Sequence, residues 1–140
     1  MQAYLERFSL SGNKALVTGG SKGIGAAIAV VLAQAGADVA IVGRDQAGLA
    51  EVAQLVEAVG QRCVVLEADL ATIDQQRQAA KEALQEFGGI DILVNKAGLG
   101  LQGDVADLEA ADLRYLFDVN VFGAVQAMQA VIPHMRGQGG

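Results

Sequence analysis

The sequence is poor in the residues that form covalent cross-links and metal sites. It contains one cysteine, Cys63, and one histidine, His134. A single cysteine excludes an internal disulfide framework and is typical of a reducing compartment, and its apolar surroundings favour a small buried hydrophobe. One histidine and one distant cysteine do not make a ligand set, so we predict no metal site. His134 follows Pro133 and is predicted to lie at the surface end of a helix.

Positive charge and long apolar runs are also scarce. The 140 residues carry 10 Lys and Arg against 16 Asp and Glu, and the net charge of −6 disfavours nucleic acid and anionic membranes as partners. The first ten residues lack a continuous apolar segment, so no secretory signal is expected. The most apolar late stretch, residues 119–135, is interrupted by polar residues and Pro133 and is predicted to be too short and too polar to span a membrane. We therefore expect a cytoplasmic protein.

What the sequence does contain is an alternation of short apolar runs with longer stretches of helical period. The runs are continuously apolar, which is typical of strands covered on both faces, and they comprise Ala15–Val17, Val39–Val42, Cys63–Leu66 and Ile92–Val94. This order predicts an α/β fold with a doubly wound parallel sheet, in one domain over residues 1–140.

Local signals support the helix boundaries. Gly36, Gly60 and Gly88 each follow a periodic segment, where a left-handed helix cap favours glycine. Thr72 and Gln75 have the spacing of a capping box at a helix start.

The segment TGGSKGIG, Thr18–Gly25, places four glycines between the first strand and the first helix. Glycines at this position let the backbone approach a pyrophosphate closely, and the free N–H groups of the helix N-terminus favour its charge. The alternative is that the glycines only make a tight turn. The strand–loop–helix context favours a Rossmann-type dinucleotide site.

Four segments resemble the short-chain dehydrogenase/reductase family, in the family's order and over essentially the whole chain. The glycine segment has the spacing T-G-x-x-x-G-x-G, and ADL at Ala68–Leu70 closes the third strand. NKAG at Asn95–Gly98 stands where the family has Asn-Asn-Ala-Gly, and DVNVFG at Asp118–Gly123 resembles the segment with the family's active-site asparagine.

The resemblance implies hydride transfer between a nicotinamide cofactor and a ketone or secondary alcohol, in a homo-oligomer (dimer or tetramer). Asp69 would accept a hydrogen bond from the adenine amino group, or alternatively act only as a turn or cap residue. Asn120 would be catalytic and hold a water in the proton relay, or alternatively be a polar kink in a long helix. The implied cofactor-binding residues are Thr18, Gly19, Ser21, Lys22, Gly23, Ile24, Gly25, Arg44, Asp69, Leu70, Asn95, Ala97 and Gly98.

The residues after the second strand favour NADP(H) over NAD(H). Gly43 stands where an NAD-binding enzyme has an acidic side chain for the ribose hydroxyls, and Arg44 follows it. Arg44 and Lys22 would bind the 2′-phosphate through charge-assisted hydrogen bonds. Asp45 is predicted to cap the next helix. The alternative is that both cations are ordinary surface residues.

Two features depart from the family. Tyr-x-x-x-Lys, which supplies the family's general acid and base, is absent, since neither Tyr4 nor Tyr115 precedes a lysine by four residues. In the family the serine, tyrosine and lysine lie beyond the part that this chain resembles. We therefore expect the cofactor-binding half of a reductase, stopping after the fourth strand and a long helix, inactive by itself and with the fourth strand as an apolar edge.

Lys96 is the second departure, because the family has asparagine there. It would either reach into the cleft, towards a cofactor group or a carboxylate, or be a damaging substitution. Other functions also stay open: a non-catalytic dinucleotide-binding module, or an interaction module that uses the edge strand and the apolar face around Phe122. Sugars, polyols, 3-oxoacyl thioesters and steroids all remain open as substrates.

Overall fold

A computed structural model describes residues 1–139, and its centre is one parallel sheet. The strands are β1 (Lys14–Thr18), β2 (Asp38–Gly43), β3 (Cys63–Glu67) and β4 (Ile92–Asn95), in the spatial order β3-β2-β1-β4. Each strand contains its predicted run and exceeds it by at most one residue at either end. The chain passes from β1 outward to β3 and then returns to the other side of β1 with β4, so the strand order switches at β1.

Helices cover both faces of this sheet, as predicted. On one face Val17 and Ile41 pack with Ala29 of α2 (Gly23–Gln34) and Val52 of α3 (Gln46–Ala58). On the other face Leu16 and Val42 pack with residues of α4 (Ile73–Phe87) and α6 (Gly123–Gly137). The strands are therefore buried on both sides, which explains why their sequences do not alternate. A short helix, α1 (Gln2–Glu6), precedes β1.

The helix ends agree with the predictions except at one position. Gly36, Gly60 and Gly88 have φ angles of 108°, 89° and 69°, which confirms the left-handed caps. The predicted capping box is wrong: Thr72 precedes α4 but its side chain does not cap the helix. Gln75 Oε1 instead accepts a hydrogen bond from the Asp69 N–H at 2.6 Å, because the Asp69–Thr72 turn folds back over the helix start.

Residues 110–137 form one helical run of three parts, α5 (Ala110–Phe117), a π-helical turn (Asp118–Phe122) and α6. A 3₁₀ turn at Val105–Asp107 precedes it. The 28-residue run is longer than the stretch that the sequence indicated, and by length and composition it is sufficient to cross a membrane. A helix that packs one apolar face against a protein core passes the same test, and here Ala127 and Val131 of α6 are buried against the sheet and α4.

β4 lies at an edge of the sheet and, within residues 1–139, pairs only with β1, as predicted.

Cys63 begins the opposite edge strand and is half-buried rather than fully buried. Burial, and the nearby Glu57 carboxylate, raise the pKa of its thiol to about 11. His134 lies in the last turn of α6, as predicted, where its Nε2 is 3.0 Å from Gln138 Oε1.

Candidate functional site

A cleft of about 360 Å³ lies at the carboxyl ends of the strands, beside the switch in strand order. This position and size are typical of small-molecule sites in open α/β sheets. Its walls come from the loops after all four strands and from the start of the long helix. The lining residues are Gly19, Ser21, Lys22, Gly43, Arg44, Asp45, Ala68, Asp69, Leu70, Ala71, Lys96, Ala97, Gly98, Leu99, Tyr115 and Val119.

The structure brings most of the predicted site residues to this cleft. Eight line it: Gly19, Ser21, Lys22, Arg44, Asp69, Leu70, Ala97 and Gly98. Gly23, Ile24 and Gly25 form the first turn of α2, directly after Lys22. Asn95 is the exposed last residue of β4, and Thr18 is the buried last residue of β1. Asn120 does not line the cleft but contacts Leu99, which does.

The glycine loop leaves little room for side chains at Gly19 and Gly25. Gly19 has a φ of 68°, and a Cβ on it would lie 3.1 Å from the Ala97 Cα. A Cβ on Gly25 would collide with the Gly19 carbonyl, so the first turn of α2 packs directly on the loop. Gly23 has open space around it, but its φ of 57° is a conformation that side-chain-bearing residues rarely adopt. The loop backbone therefore forms the cleft wall directly.

Thr18 joins the loops that follow β1 and β4. Its Oγ1 accepts hydrogen bonds from the Lys96 N–H at 3.1 Å and the Ala97 N–H at 3.0 Å. The hydroxyl thereby positions the Lys96–Gly98 segment, so the residue holds together two walls of the cleft.

One cation, Arg44, and two carboxylates, Asp45 and Asp69, lie on the β2 and β3 side of the cleft. Arg44 Nη1 is 3.8 Å from Asp69 Oδ1, with side-chain exposures of 73% and 45%. An exposed pair of this kind contributes about 0–1 kcal/mol, so Arg44 is readily available to another anion. Asp45 caps α3, where its Oδ1 accepts a hydrogen bond from the Gly48 N–H at 3.1 Å, as predicted. Asp69 Oδ1 also accepts from the Ala71 N–H at 3.0 Å.

Gly43 occupies the position at which NAD-binding enzymes have an acidic side chain, and its surroundings leave little space for a side chain. A Cβ there would lie 3.2 Å from both Cβ and Oγ of Ser21, which is tighter than ordinary contact. A side chain at position 43 would therefore require Ser21 to shift by a few tenths of an ångström. Lys22 directly precedes α2 and is exposed.

Asn120 lies in the π-helical turn and holds the backbone of Leu99. Its Oδ1 accepts from the Leu99 N–H at 2.8 Å, and its Nδ2 donates to the Leu99 carbonyl at 2.7 Å. Single π-helical turns inside long helices are frequent at functional sites. Asn120 therefore lies in an irregular turn and contacts a residue that lines the cleft. Its predicted role in holding a water stays a prediction.

Sequence comparison decides the family. Residues 13–140 match the short chain dehydrogenase profile. The chain belongs to the short-chain dehydrogenase family.

Among family members the chain is 39% identical over 135 residues to the 2-dehydro-3-deoxy-D-gluconate 5-dehydrogenase of Escherichia coli, covering 96% of this chain and 53% of that protein. A structure of a short-chain alcohol dehydrogenase from Sinorhizobium meliloti is 41% identical with a TM-score of 0.87, covering 93% of this chain and 52% of that one. A blue fluorescent protein from a metagenomic library, in complex with NADPH, is 38% identical with a TM-score of 0.86, covering 91% and 53%. The chain thus spans about half the length of these short-chain dehydrogenases.

Sequence reasoning missed one buried residue that holds two of the cleft's walls. The Gln76 side chain is 1% exposed, and its Nε2 donates to the Leu70 carbonyl at 2.8 Å and the Val119 carbonyl at 3.1 Å. It thereby joins the loop after β3 to the π-helical turn of this short-chain dehydrogenase. The available signal was its place on the apolar stripe of α4, between Ile73 and Ala80.

Tyr115 and Val119 were also missed as cleft residues. Both come from the start of the long helical run, and Tyr115 is 42% exposed. The sequence showed only that Tyr115 lacks a lysine four residues later. Its position depends on the loop between β4 and α5, which has no periodic pattern to predict its path.

Proposed function

We propose that this chain forms the dinucleotide-binding part of an NADP(H)-dependent oxidoreductase, which transfers hydride between the nicotinamide and a ketone or secondary alcohol. The observation that carries the proposal is the cleft wall at Gly19, whose bare backbone lies so close to Ala97 that a Cβ would meet the Ala97 backbone, and onto which the first turn of α2 packs at Gly25. Such a wall, followed at once by the N-terminus of α2, fits a pyrophosphate. When bound, the cofactor supplies or accepts the hydride.

The chain's own residues would bind and orient the cofactor. The N–H groups in the first turn of α2 have no partners within the helix and would donate to the pyrophosphate, while Lys22 would join Arg44 at the 2′-phosphate. Asp69 and Leu70 lie on the wall formed by the loop after β3, where Asp69 would accept a hydrogen bond from the adenine amino group. Ala97 and Gly98 form the opposite wall.

Preference for NADP(H) is supported by three features around the end of β2. Arg44 is exposed and only weakly paired with Asp69. Position 43 has no carboxylate to repel a 2′-phosphate, and the next carboxylate along the chain, Asp45, accepts a hydrogen bond at the start of α3. The NADPH complex of the metagenomic blue fluorescent protein adds support from a relative.

Calorimetric titration with NADP⁺ and NAD⁺ tests this preference. We expect NADP⁺ to bind more tightly, and Arg44→Ala to weaken NADP⁺ binding by roughly ten-fold or more while changing NAD⁺ binding by less than about two-fold, because one lost charge-assisted hydrogen bond removes about 1.5–3 kcal/mol. Arg136→Ala, an exposed arginine in the last turn of α6, is the matched control. Equal affinity for the two cofactors, or tighter NAD⁺ binding, would contradict the assignment.

A second candidate is a dinucleotide-binding module without catalysis, which would use the same glycine loop and cleft. For the enzyme we propose a small carbonyl or alcohol substrate, a cytoplasmic location, no nucleic-acid or membrane partner, and a homodimer or homotetramer.

The exposed Phe117, Phe122 and Val125 of the long helical run provide an apolar surface for self-association. Sedimentation of the wild type and of Phe122→Ser tests this surface, since the substitution should shift the chain towards monomer.

A further inference from the structure

Lys96 is the residue of the cleft that departs most from the family pattern. It follows β4 directly, is half-buried and lines the cleft. Its Cδ lies 3.2 Å from the point where a Gly19 Cβ would be, so the aliphatic stem runs along the first residue of the glycine loop. The hydrogen bond from its backbone N–H to Thr18 Oγ1 fixes the start of the side chain.

The Lys96 ammonium has no anionic partner in the part of the chain that is described. Among residues 1–139 the ion pairs are Arg44–Asp69 and Arg62–Glu86. The two carboxylates that line the cleft are engaged elsewhere, Asp69 with Arg44 and the Ala71 N–H, and Asp45 with the Gly48 N–H. An ammonium in the cleft that is not engaged by a carboxylate is available to an anionic ligand, with which it would form charge-assisted hydrogen bonds.

Strand order separates Lys96 from Arg44. Arg44 follows β2 and Lys96 follows β4, with β1 between them. Adjacent strands are roughly 4.8 Å apart, so the backbones at the two positions are separated by roughly 10 Å. Two cations on opposite sides of the β1 end are therefore too far apart to share one phosphate group but suit different anionic groups of one extended ligand.

We propose that Lys96 binds the pyrophosphate of the dinucleotide, while Arg44 serves the 2′-phosphate. The contact between the Lys96 stem and Gly19 places Lys96 beside the loop that leads to the N-terminus of α2, which is the phosphate-binding end of that helix. Lys96 would then place a positive charge beside the pyrophosphate, at a position where the family has an uncharged asparagine. This inference rests on the proposed function, because it requires a dinucleotide in the cleft.

The test compares ligands with and without the pyrophosphate. Wild type, Lys96→Gln and Lys96→Arg are titrated calorimetrically with NADP⁺, NAD⁺ and adenosine 2′-monophosphate, and Lys81→Gln, an exposed lysine of α4, is the matched control. We expect Lys96→Gln to weaken NADP⁺ and NAD⁺ by the same factor, about ten-fold, and to leave adenosine 2′-monophosphate unchanged. Lys96→Arg should retain most of the affinity. The loss should shrink as ionic strength rises, because salt screens the charge.

The outcomes separate this inference from the proposed function. If wild type binds neither NADP⁺ nor NAD⁺, the proposed function fails. If wild type binds both and Lys96→Gln binds them equally well, Lys96 is not a pyrophosphate ligand. A loss confined to NADP⁺ and adenosine 2′-monophosphate would move Lys96 to the 2′-phosphate and also overturn the inference. Lys96→Asn carries the residue typical of the family and repeats the test should Lys96→Gln fold poorly.

Discussion

At the scale of single residues, Gly25 marks a place where the glycine loop and the first turn of α2 pack backbone against backbone. A side chain there collides with the Gly19 carbonyl, whereas one at Gly23 meets open space but needs an unfavourable φ. We expect Gly25→Val to abolish NADP⁺ binding and to destabilise the fold by about 1–3 kcal/mol, as overpacking does. Gly23→Val should also abolish binding, because its side chain would stand in the phosphate site.

Urea denaturation and calorimetry on the same samples measure both effects. Gly137→Ala, at a helical glycine with open space around it, is the control and should bind normally. A valine variant of Gly23 or Gly25 that folds and binds NADP⁺ as the wild type does would show that the loop is not the phosphate site.

Cys63 gives a prediction that does not involve the cleft. Because burial and Glu57 raise the pKa of the thiol to about 11, the thiol stays protonated in the folded protein at pH 9, and alkylation by iodoacetamide should be slow until urea is added. Glu57→Gln should speed the reaction in the folded state, while Glu51→Gln on the same helix should not. The free energy of unfolding should fall as pH rises from about 9 to 11, since the unfolded thiol loses its proton first. A fast reaction in the native protein would contradict the raised pKa.

At the scale of elements, Gln76 joins α4, the loop after β3 and the π-helical turn. Gln76→Leu removes the donor for the buried Leu70 and Val119 carbonyls, and we expect a loss of about 1–3 kcal/mol in the free energy of unfolding. The exposed Gln78→Leu on the same helix should stay within about 0.5 kcal/mol of the wild type. Chemical denaturation measures both, and an equal effect of the two substitutions would show that the Gln76 hydrogen bonds contribute little.

The elements also separate what sequence reasoning can predict from what it cannot. The strands and the glycine caps were predictable because a buried strand and a left-handed cap each leave a local pattern. The prediction of a capping box at Thr72 was wrong because the Gln75 side chain accepts a hydrogen bond from the Asp69 N–H. That contact depends on the turn before the helix. The π-helical turn at Asp118–Phe122 contains no glycine or proline from which it could be predicted. A side chain distant in sequence, Gln76, donates a hydrogen bond to the Val119 carbonyl in this turn.

The candidate site divides in the same way. The family pattern named eight residues that line the cleft, including Arg44 and Asp69, because they lie in the loops that follow the strands. It did not foresee that the Arg44 and Asp69 side chains pair with each other, nor that Thr18 holds the segment after β4. Those contacts depend on which strands are neighbours, and this is fixed by the fold rather than by any one segment.

At the scale of the whole molecule, we expect this chain alone to catalyse no hydride transfer. A carbonyl accepts hydride efficiently only when its oxygen is polarised and protonated in the same site, and positioned acid–base groups supply roughly 10²–10⁴-fold of the rate. Tyr115 lines the cleft but lacks the lysine partner, and both polar groups of the Asn120 amide are bonded to Leu99.

The assay follows NADPH absorbance with the purified chain and a panel of ketones, sugars and 3-oxoacyl thioesters. Asn120→Ala and Tyr115→Phe are run alongside the wild type. Turnover that survives removal of contaminating reductases, and is lost in either variant, would show that a working active site lies within these residues.

The position of β1 between β2 and β4 has a consequence for the order in which the molecule assembles. Pairing of β1 with β2 joins residues close in the chain, such as Ala15 and Val39, whereas pairing with β4 joins Ala15 to Ile92. Closing the longer loop has the larger entropic cost, so we expect β4 to dock after the other three strands have paired. The segment after β4 forms the second wall of the cleft, so the cleft is complete only after β4 has docked. A ligand that binds both walls would stabilise the docked state of β4, and the chain would become able to bind only when it has finished folding.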